Sequence, residues 1–348
     1  MINYVELTNF KGYKKEKIDF SKVTLLTGTN SSGKSTIIQA LKLFEQSTEN
    51  FIKEYPRKKG GVISIIDLLQ DEDSHFIGFQ ELKRKRSLNY NEDDSEDIVT
   101  FSIEVDGEKK EYDEVSFWGE KIKNNLASVL YSGNIPKSKG IYFIHADRYF
   151  NSKQYASSYT ENYIPKNNNS NLADYLFDHS ISLQNSVIDY VSELLKEIGL
   201  IKDKLEVEKF RDTYIIKIDG NFIEHVGSGI RYTIPILLSV ITNRDSTICI
   251  ENPELHLHPK AQTKILEVLV KKALENNNQL IIETHSDHII NATCVLIKEN
   301  LLLNKDVKTY FIKDQDVTDI PINSSGQFEK NVTDFFDEYE NQLEKLIW

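Results

Sequence analysis

Apolar positions along this chain fall into short runs separated by polar turns, and two periods alternate. Tyr4-Val5-Glu6-Leu7, Lys17-Ile18-Asp19-Phe20 and the apolar, β-branched Val23-Thr24-Leu25-Leu26-Thr27 read as strands. Ile37, Ile38, Leu41 and Phe44 then recur at helical spacing. The run from Ile98 to Val105 closes on Asp106-Gly107, a hairpin signal, and Ile141-Tyr142-Phe143-Ile144 has the length of a buried strand. Residues 150–172, rich in Asn, Ser, Tyr and Lys, predict a long loop. Apolar residues at 183, 187, 188, 191, 194 and 195 predict an amphipathic helix, and Arg211 to Glu224 a hairpin turning at Asp219-Gly220-Asn221. The last third alternates helix near 230–242, strand 247–251, helix 260–275, strand 279–283, helix 287–298 and a final strand Val307 to Lys313. Strands alternating with helices predict a parallel sheet covered on both faces.

Composition narrows the classes. The chain has 348 residues, 39% hydrophobic and 28% charged, as in a soluble globular protein. Apolar runs stay shorter than a membrane span, and Met1 to Glu6 reads as a strand in place of a signal peptide. Cys249 and Cys294 are the two cysteines, which fits a reducing cytoplasm. A net charge of −12 argues against coating nucleic acid over most of the surface. Arg57-Lys58-Lys59 and Lys83-Arg84-Lys85-Arg86 are basic clusters opposed by the acidic run Glu92 to Asp97; each reads as a solvated loop or as a local DNA-contacting edge.

The candidate chemistry starts at Gly28-Thr29-Asn30-Ser31-Ser32-Gly33-Lys34-Ser35-Thr36, a G-x-x-x-x-G-K-S phosphate loop between a strand and a helix. In that setting backbone N–H groups and a helix N-terminus converge on a polyphosphate, here expected to be ATP. Gly28 and Gly33 allow the backbone to approach the phosphates. Lys34 is expected on the β- and γ-phosphates and Ser35 on Mg²⁺. Thr36 either bonds the α-phosphate or continues the helix.

Thr247-Ile248-Cys249-Ile250-Glu251 ends a strand in a carboxylate, followed by Asn252-Pro253-Glu254. At the carboxyl end of a parallel strand, Glu251 is expected to hold Mg²⁺ beside Ser35. Leu280 to Ser286 repeats the pattern and places His285 where it can bond a γ-phosphate or the attacking water. Val226-Gly227-Ser228-Gly229-Ile230 is a second glycine-rich helix start able to meet an anion. His256 and His258 alternate on an extended segment and have ligand chemistry for zinc, without a third ligand in sequence.

Taken in order, Asn9-Phe10-Lys11, the phosphate loop, Gly-Ser-Gly, Glu-Asn-Pro-Glu-Leu-His-Leu-His-Pro and Glu-Thr-His-Ser resemble the RecF/SMC/OLD branch of the ABC-type ATPases. The chain is most similar to small prokaryotic OLD-like ATP-binding proteins, many of which sit in antiphage defence operons. The match is strong over 1–45 and 224–290 and weak between. The segment Asn331 to Glu338 resembles a C-terminal extension of such proteins. The resemblance implies a P-loop α/β fold: an ABC-type head with a mostly parallel core sheet, an antiparallel β lobe from 1–20 and 75–145, and a helical subdomain near 170–210. It implies one domain over 1–348, divided into an N-terminal lobe (1–145), an insertion (146–225), a second lobe (226–320) and a helical extension (321–348).

The resemblance also implies roles. Ser228 and Gly229 become a signature motif that completes the site of a second subunit, Glu251 the Walker B acid, His256 to Pro259 a dimer-interface loop, and His285 the switch histidine. Two subunits would clasp two ATP molecules in a nucleotide-sandwich homodimer and regulate a separately encoded effector, a nuclease or toxin. A RecF-like DNA-binding ATPase is the alternative. Three departures stand out. Asn252 occupies the place of the usual water-polarising glutamate, so hydrolysis is slow or Glu254 or His285 takes over that role. Gln70 and Gln80 both qualify as the Q-loop glutamine, and Arg231 stands where the signature often carries Gln. Residues 286–348 leave little room for a nuclease, and Asp314-Gln315-Asp316 reads better as a turn than as a metal pair. Phe335, Phe336, Tyr339, Leu343, Leu346 and Ile347 form an apolar stripe expected to dock on its own domain.

Overall fold

Strands of the first half are β1 (Ile2–Phe10), β2 (Tyr13–Asp19), β3 (Val23–Gly28), β4 (Gly61–Ser64), β5 (Thr100–Val105), β6 (Glu108–Tyr112), β7 (Ser128–Tyr131) and β8 (Ile141–Ile144). Those of the second are β9 (Leu205–Phe210), β10 (Thr213–Ile218), β11 (Asn221–Phe222), β12 (Thr247–Glu251), β13 (Gln279–Glu283), β14 (Val307–Lys313) and β15 (Asp316–Asp319). The helices are α1 (34–42), α2 (Leu172–Asp178), α3 (Val187–Ile198), α4 (Ser228–Thr242), α5 (Pro259–Glu275), α6 (Asp287–Lys298) and α7 (Glu338–Ile347). This computed structural model describes residues 1–10, 12–42, 140–148, 172–178, 187–210, 213–330 and 338–347, the backbone of β4 to β7, and Val332 and Phe335. The two basic clusters, the acidic run, Gln70, Gln80 and residues 151–171 lie outside the described residues.

The chain divides into two units. One comprises Met1–Ser21, Thr29–Ile141 and Ile312–Val317; the other comprises Lys22–Gly28, Tyr142–Phe311 and Thr318–Trp348. In the first, β2-β1-β5-β6 form an antiparallel sheet. Val5 faces Ile18 on one side and Ile103 on the other, and Val5, Leu7 and Ile18 are buried. β5 pairs antiparallel with β6, with Val105 opposite Glu108, and the predicted turn at Asp106-Gly107 lies outside the described residues.

The second unit holds β3, β13 and β12, the middle of the sheet of order β15-β14-β3-β13-β12-β8. β3 pairs parallel with β13, and β13 parallel with β12. Every residue of β13, Thr247 to Ile250 of β12 and Val23 to Thr27 of β3 are buried, as a parallel sheet covered on both faces requires. The helices supply the cover. α5 turns Ala261, Ile265, Leu266, Val268, Leu269 and Ala273 inward at helical spacing, and it packs on α6. α6 starts on Ser286, whose hydroxyl accepts from the Ile289 N–H at 3.3 Å, with Asp287 in its first turn and Lys298 in its last.

Two expectations change, and a third, the helix predicted from Leu183, is described only in part. The helical subdomain near 170–210 holds α2 and α3, but residues 205–210 are β9, paired antiparallel with β10. Leu-Glu-Val-Glu-Lys-Phe has period two, the pattern of a strand. α3 starts at Val187, and residues 179–186 lie outside the described set. In the C-terminal stripe, Phe335 does dock, edge-on against Phe311 at 5.6 Å and Phe328 at 5.1 Å. Leu343, Leu346 and Ile347 on α7 stay exposed among the described residues, at 38%, 82% and 74%, and Phe336 and the Tyr339 side chain lie outside the described set.

Candidate functional site

The phosphate loop lies in the first unit and is held from within it. Asn30 and Ser31 are exposed at its crest, while Ser32 and Lys34 are buried. Ser31 at φ +60° and Gly33 at φ +111° turn the chain through left-handed conformations, the geometry that gathers successive N–H groups into an anion-binding concavity. Tyr13 backs this turn: its hydroxyl donates to the Gly33 carbonyl at 3.1 Å. A Cβ on Gly33 would lie 2.7 Å from that hydroxyl oxygen, so only glycine fits. The Lys34 ammonium donates to the Thr29 carbonyl at 2.6 Å, on the inside of the loop. α1 begins at Lys34 and carries Ser35 and Thr36, both half-buried, in its first turn. The Ser32 hydroxyl is buried without a hydrogen bond. An uncommitted buried hydroxyl, a left-handed turn and a helix N-terminus together fit a polyphosphate.

The carboxylate edge lies in the second unit. Leu26, Glu283 and Glu251 share one rung across β3, β13 and β12. Adjacent strands lie about 4.8 Å apart, which puts Glu251 roughly 10 Å along that rung from β3, the strand that leads into the phosphate loop. Burial pushes the Glu251 carboxyl up. The His145 ring, the Ala146 N–H and the Arg148 charge outweigh it and hold the group below its ordinary range. Ala146 N–H donates to Glu251 Oε2 at 3.0 Å, and His145 Nδ1 lies 3.5 Å from the same oxygen. An ionised, half-buried carboxylate at a strand end has the chemistry of a Mg²⁺ ligand.

Asn252 follows at φ +45°. Its N–H donates to the Glu283 carbonyl at 2.7 Å, tying the turn after β12 to the end of β13, and its side-chain oxygen is buried without a hydrogen bond. Glu254 is brought back to the same edge. Its carboxylate Oε1 accepts from the His285 N–H at 2.9 Å. Burial raises the Glu254 pKa, and the His285 N–H offsets this in part. The His285 residue itself is exposed.

Ser228 opens α4 after Gly227. Gly229 allows a close approach: a Cβ there would lie 2.7 Å from the His256 carbonyl oxygen and 2.8 Å from Leu257 Cδ2. The two histidines between Glu254 and α5 have structural roles. His256 stacks on Tyr232 at 4.7 Å, and His258 accepts from the Lys260 N–H at 3.4 Å as the cap of α5. No group of three metal-ligating side chains occurs among the described residues. The turn at Asp314-Gln315 separates β14 from β15, both residues at positive φ.

Tyr13, His145 and Arg148 are site residues that sequence reasoning missed. His145-Ala146-Asp147-Arg148 follows an apolar strand as Glu251 and His285 do, and that position was the available signal.

A family model for the AAA ATPase domain matches residues 1–290. A curated relative from Helicobacter pylori (strain ATCC 700392 / 26695), an ATP/GTP phosphatase, is 21% identical over 98% of this chain and 99% of its own length. Among solved structures, the Smc head domain with an extended coiled coil from Pyrococcus furiosus, bound to the C-terminal domain of ScpA, aligns over 100% of this chain and 99% of its own. That alignment has a TM-score of 0.51 and 12% identity, and it shows a shared fold. The recombination mediator RecF aligns over 92% of this chain and 98% of its own, with a TM-score of 0.46 and 13% identity.

Proposed function

We propose that this chain, which belongs to the AAA ATPase domain family, binds ATP with Mg²⁺, hydrolyses it and dimerises in the ATP-bound state. The observation that carries the reading is the parallel trio β3–β13–β12, which ends in Gly28, the entry to the phosphate loop, and in the carboxylates Glu283 and Glu251. The ATP/GTP phosphatase relative supports a hydrolytic outcome.

Bound ATP–Mg²⁺ supplies the phosphoryl group and a cation that neutralises its charge. The Asn30 to Thr36 backbone and the Lys34 ammonium would hold the phosphates, and Ser35 in the first unit and Glu251 in the second each have the chemistry of a Mg²⁺ ligand. An amide at Asn252 cannot accept a proton. Glu254 is the base instead. Its carboxyl binds protons more tightly than usual because it is buried, and the His285 N–H orients it. His285, exposed at the end of β13, and Ser228, half-buried at the start of α4, are the groups offered to a second subunit, with Gly229 packed behind Ser228 on the His256 carbonyl. The order of motifs supports a further step, in which the ATP-bound dimer regulates a separately encoded effector in antiphage defence.

Single-turnover ATP hydrolysis combined with equilibrium ATP binding tests the site. Lys34→Ala is expected to abolish ATP binding. Glu251→Gln is expected to retain binding and lose the Mg²⁺-dependent turnover. Wild-type hydrolysis in both variants would reject the assignment.

A further inference from the structure

We propose that Arg148 is a positioning residue for the acid end of β12, fixing the Glu251–Asn252 turn to α4 and aiming the Glu251 carboxylate. The inference rests on the reading of Glu251 as a Mg²⁺ ligand and extends it to a residue outside the known motifs.

Arg148 is 2% exposed, and its guanidinium fork is spent on backbone carbonyls. One terminal nitrogen donates to Glu251 O at 2.6 Å and His145 O at 2.9 Å; the other donates to Asn252 O at 2.7 Å. Nε donates to Tyr232 O at 2.8 Å, and the guanidinium carbon lies 5.5 Å from the centre of the Tyr232 ring. Three segments of the second unit therefore meet on one cation: the turn after β8, the turn after β12, and the first turns of α4.

The bonds form a closed circuit around Glu251. Its main-chain oxygen is held by Arg148 directly. Its side chain is held by the Ala146 N–H and faced by the His145 ring, and those belong to the short turn that Arg148 closes through the His145 carbonyl. Fixing both the backbone and the carboxylate of one residue leaves it little freedom to rotate. The left-handed Asn252 is pinned from both sides, its N–H on Glu283 and its carbonyl on Arg148. A planar fork with five fixed donors can serve four carbonyls at once; a lysine ammonium has three donors and a single centre. Burial lowers the Arg148 pKa to about 10, offset in part by Glu254 and Glu251, so the cation persists at neutral pH.

The test compares wild type, Arg148→Lys, Glu251→Gln and the double variant, with Arg148→Ala added if it folds. Affinity for a fluorescent ATP analogue is measured with and without Mg²⁺, single-turnover hydrolysis is followed, and thermal melting reports folding. Arg148→Lys is expected to leave metal-free affinity within about twofold, remove most of the gain that Mg²⁺ gives, and slow hydrolysis by about 10²-fold, the usual scale for a catalytic group moved by about an ångström. Placed on Glu251→Gln, it should add nothing to either loss, because both changes act through one carboxylate. For Arg148→Ala, guanidinium ion should restore the Mg²⁺ gain. A structural role alone predicts a lower melting temperature with independent, multiplying losses, and that result would overturn the proposal while Glu251 stands. An unaffected Glu251→Gln would overturn the Glu251 assignment and the proposal with it.

Discussion

At Asn252 the backbone settles which side chain can stand there. With φ at +45° it lies in the left-handed region, where asparagine is among the few side chains tolerated and a longer acid is disfavoured. A glutamate here would add backbone strain that asparagine avoids. Asn252→Glu is expected to give no faster hydrolysis and a lower melting temperature. Glu254→Gln is expected to cost about 10²–10⁴ in single-turnover rate with ATP affinity unchanged, the scale of a lost general base. Because burial raises the Glu254 pKa, its ionised, proton-accepting form is lost as pH falls at a higher pH than for an ordinary carboxylate. The acid limb of the rate profile should therefore lie above about pH 4.3. Glu251 has the opposite sign. Its carboxyl is held below the ordinary range, so the folded state gains stability from it above the unfolded pKa and loses that gain as pH falls through the folded one. Glu251→Gln should lower the melting temperature at pH 7, and the gap from wild type should close as the pH falls below about 4.

Elements explain what could and could not be read beforehand. β3, the phosphate loop and α1 were legible because each carries a local signature: a β-branched run, glycines at fixed offsets, an apolar helical stripe. The parallel trio was legible because strands buried on both faces must be apolar throughout. β9 was missed because its period-two alternation is short and follows directly on a helical stripe, and β15 because its four residues hold a single apolar side chain. Arg148 was illegible for another reason. Its partners are carbonyls, which every residue has, and three of them lie 84 to 104 positions away. A contact that depends on tertiary proximity and generic acceptors leaves no mark in the string. Gly229 lies between these cases: the motif named it, but the fold supplies the cause. Gly229→Ala would press a Cβ to 2.7 Å from the His256 carbonyl, and backbone cannot yield as a flexible side chain can. A loss of about 1–3 kcal/mol in urea unfolding is expected, the cost of overpacking a tight contact.

Whole-molecule charge decides how association responds to salt. Each copy carries a formal charge of −12, so two copies repel and ATP adds further negative charge to both. The proposed dimer would be driven by short-range contacts at the nucleotide and opposed by long-range repulsion. Raising ionic strength shortens the Debye length from about 30 Å at 0.01 M to about 8 Å at 0.15 M and screens that repulsion. The ATP-bound dimer fraction is therefore expected to rise with salt over that range. Duplex DNA binding through basic clusters has the reverse dependence, because it releases condensed counterions and that release is less favourable as bulk salt rises. Light scattering across a salt series, with and without ATP–Mg²⁺, separates the two readings by sign. Ser228→Arg sets the control. It places bulk and a cation on the first turn of α4, which costs that helix about 0.3–1 kcal/mol through the dipole and leaves the fold standing. The variant should bind ATP as wild type does and remain a monomer in every salt. A mass that ignores nucleotide in the wild type would leave a single-subunit ATPase, and a Ser228→Arg protein that still doubles its mass with ATP would remove α4 from the interface.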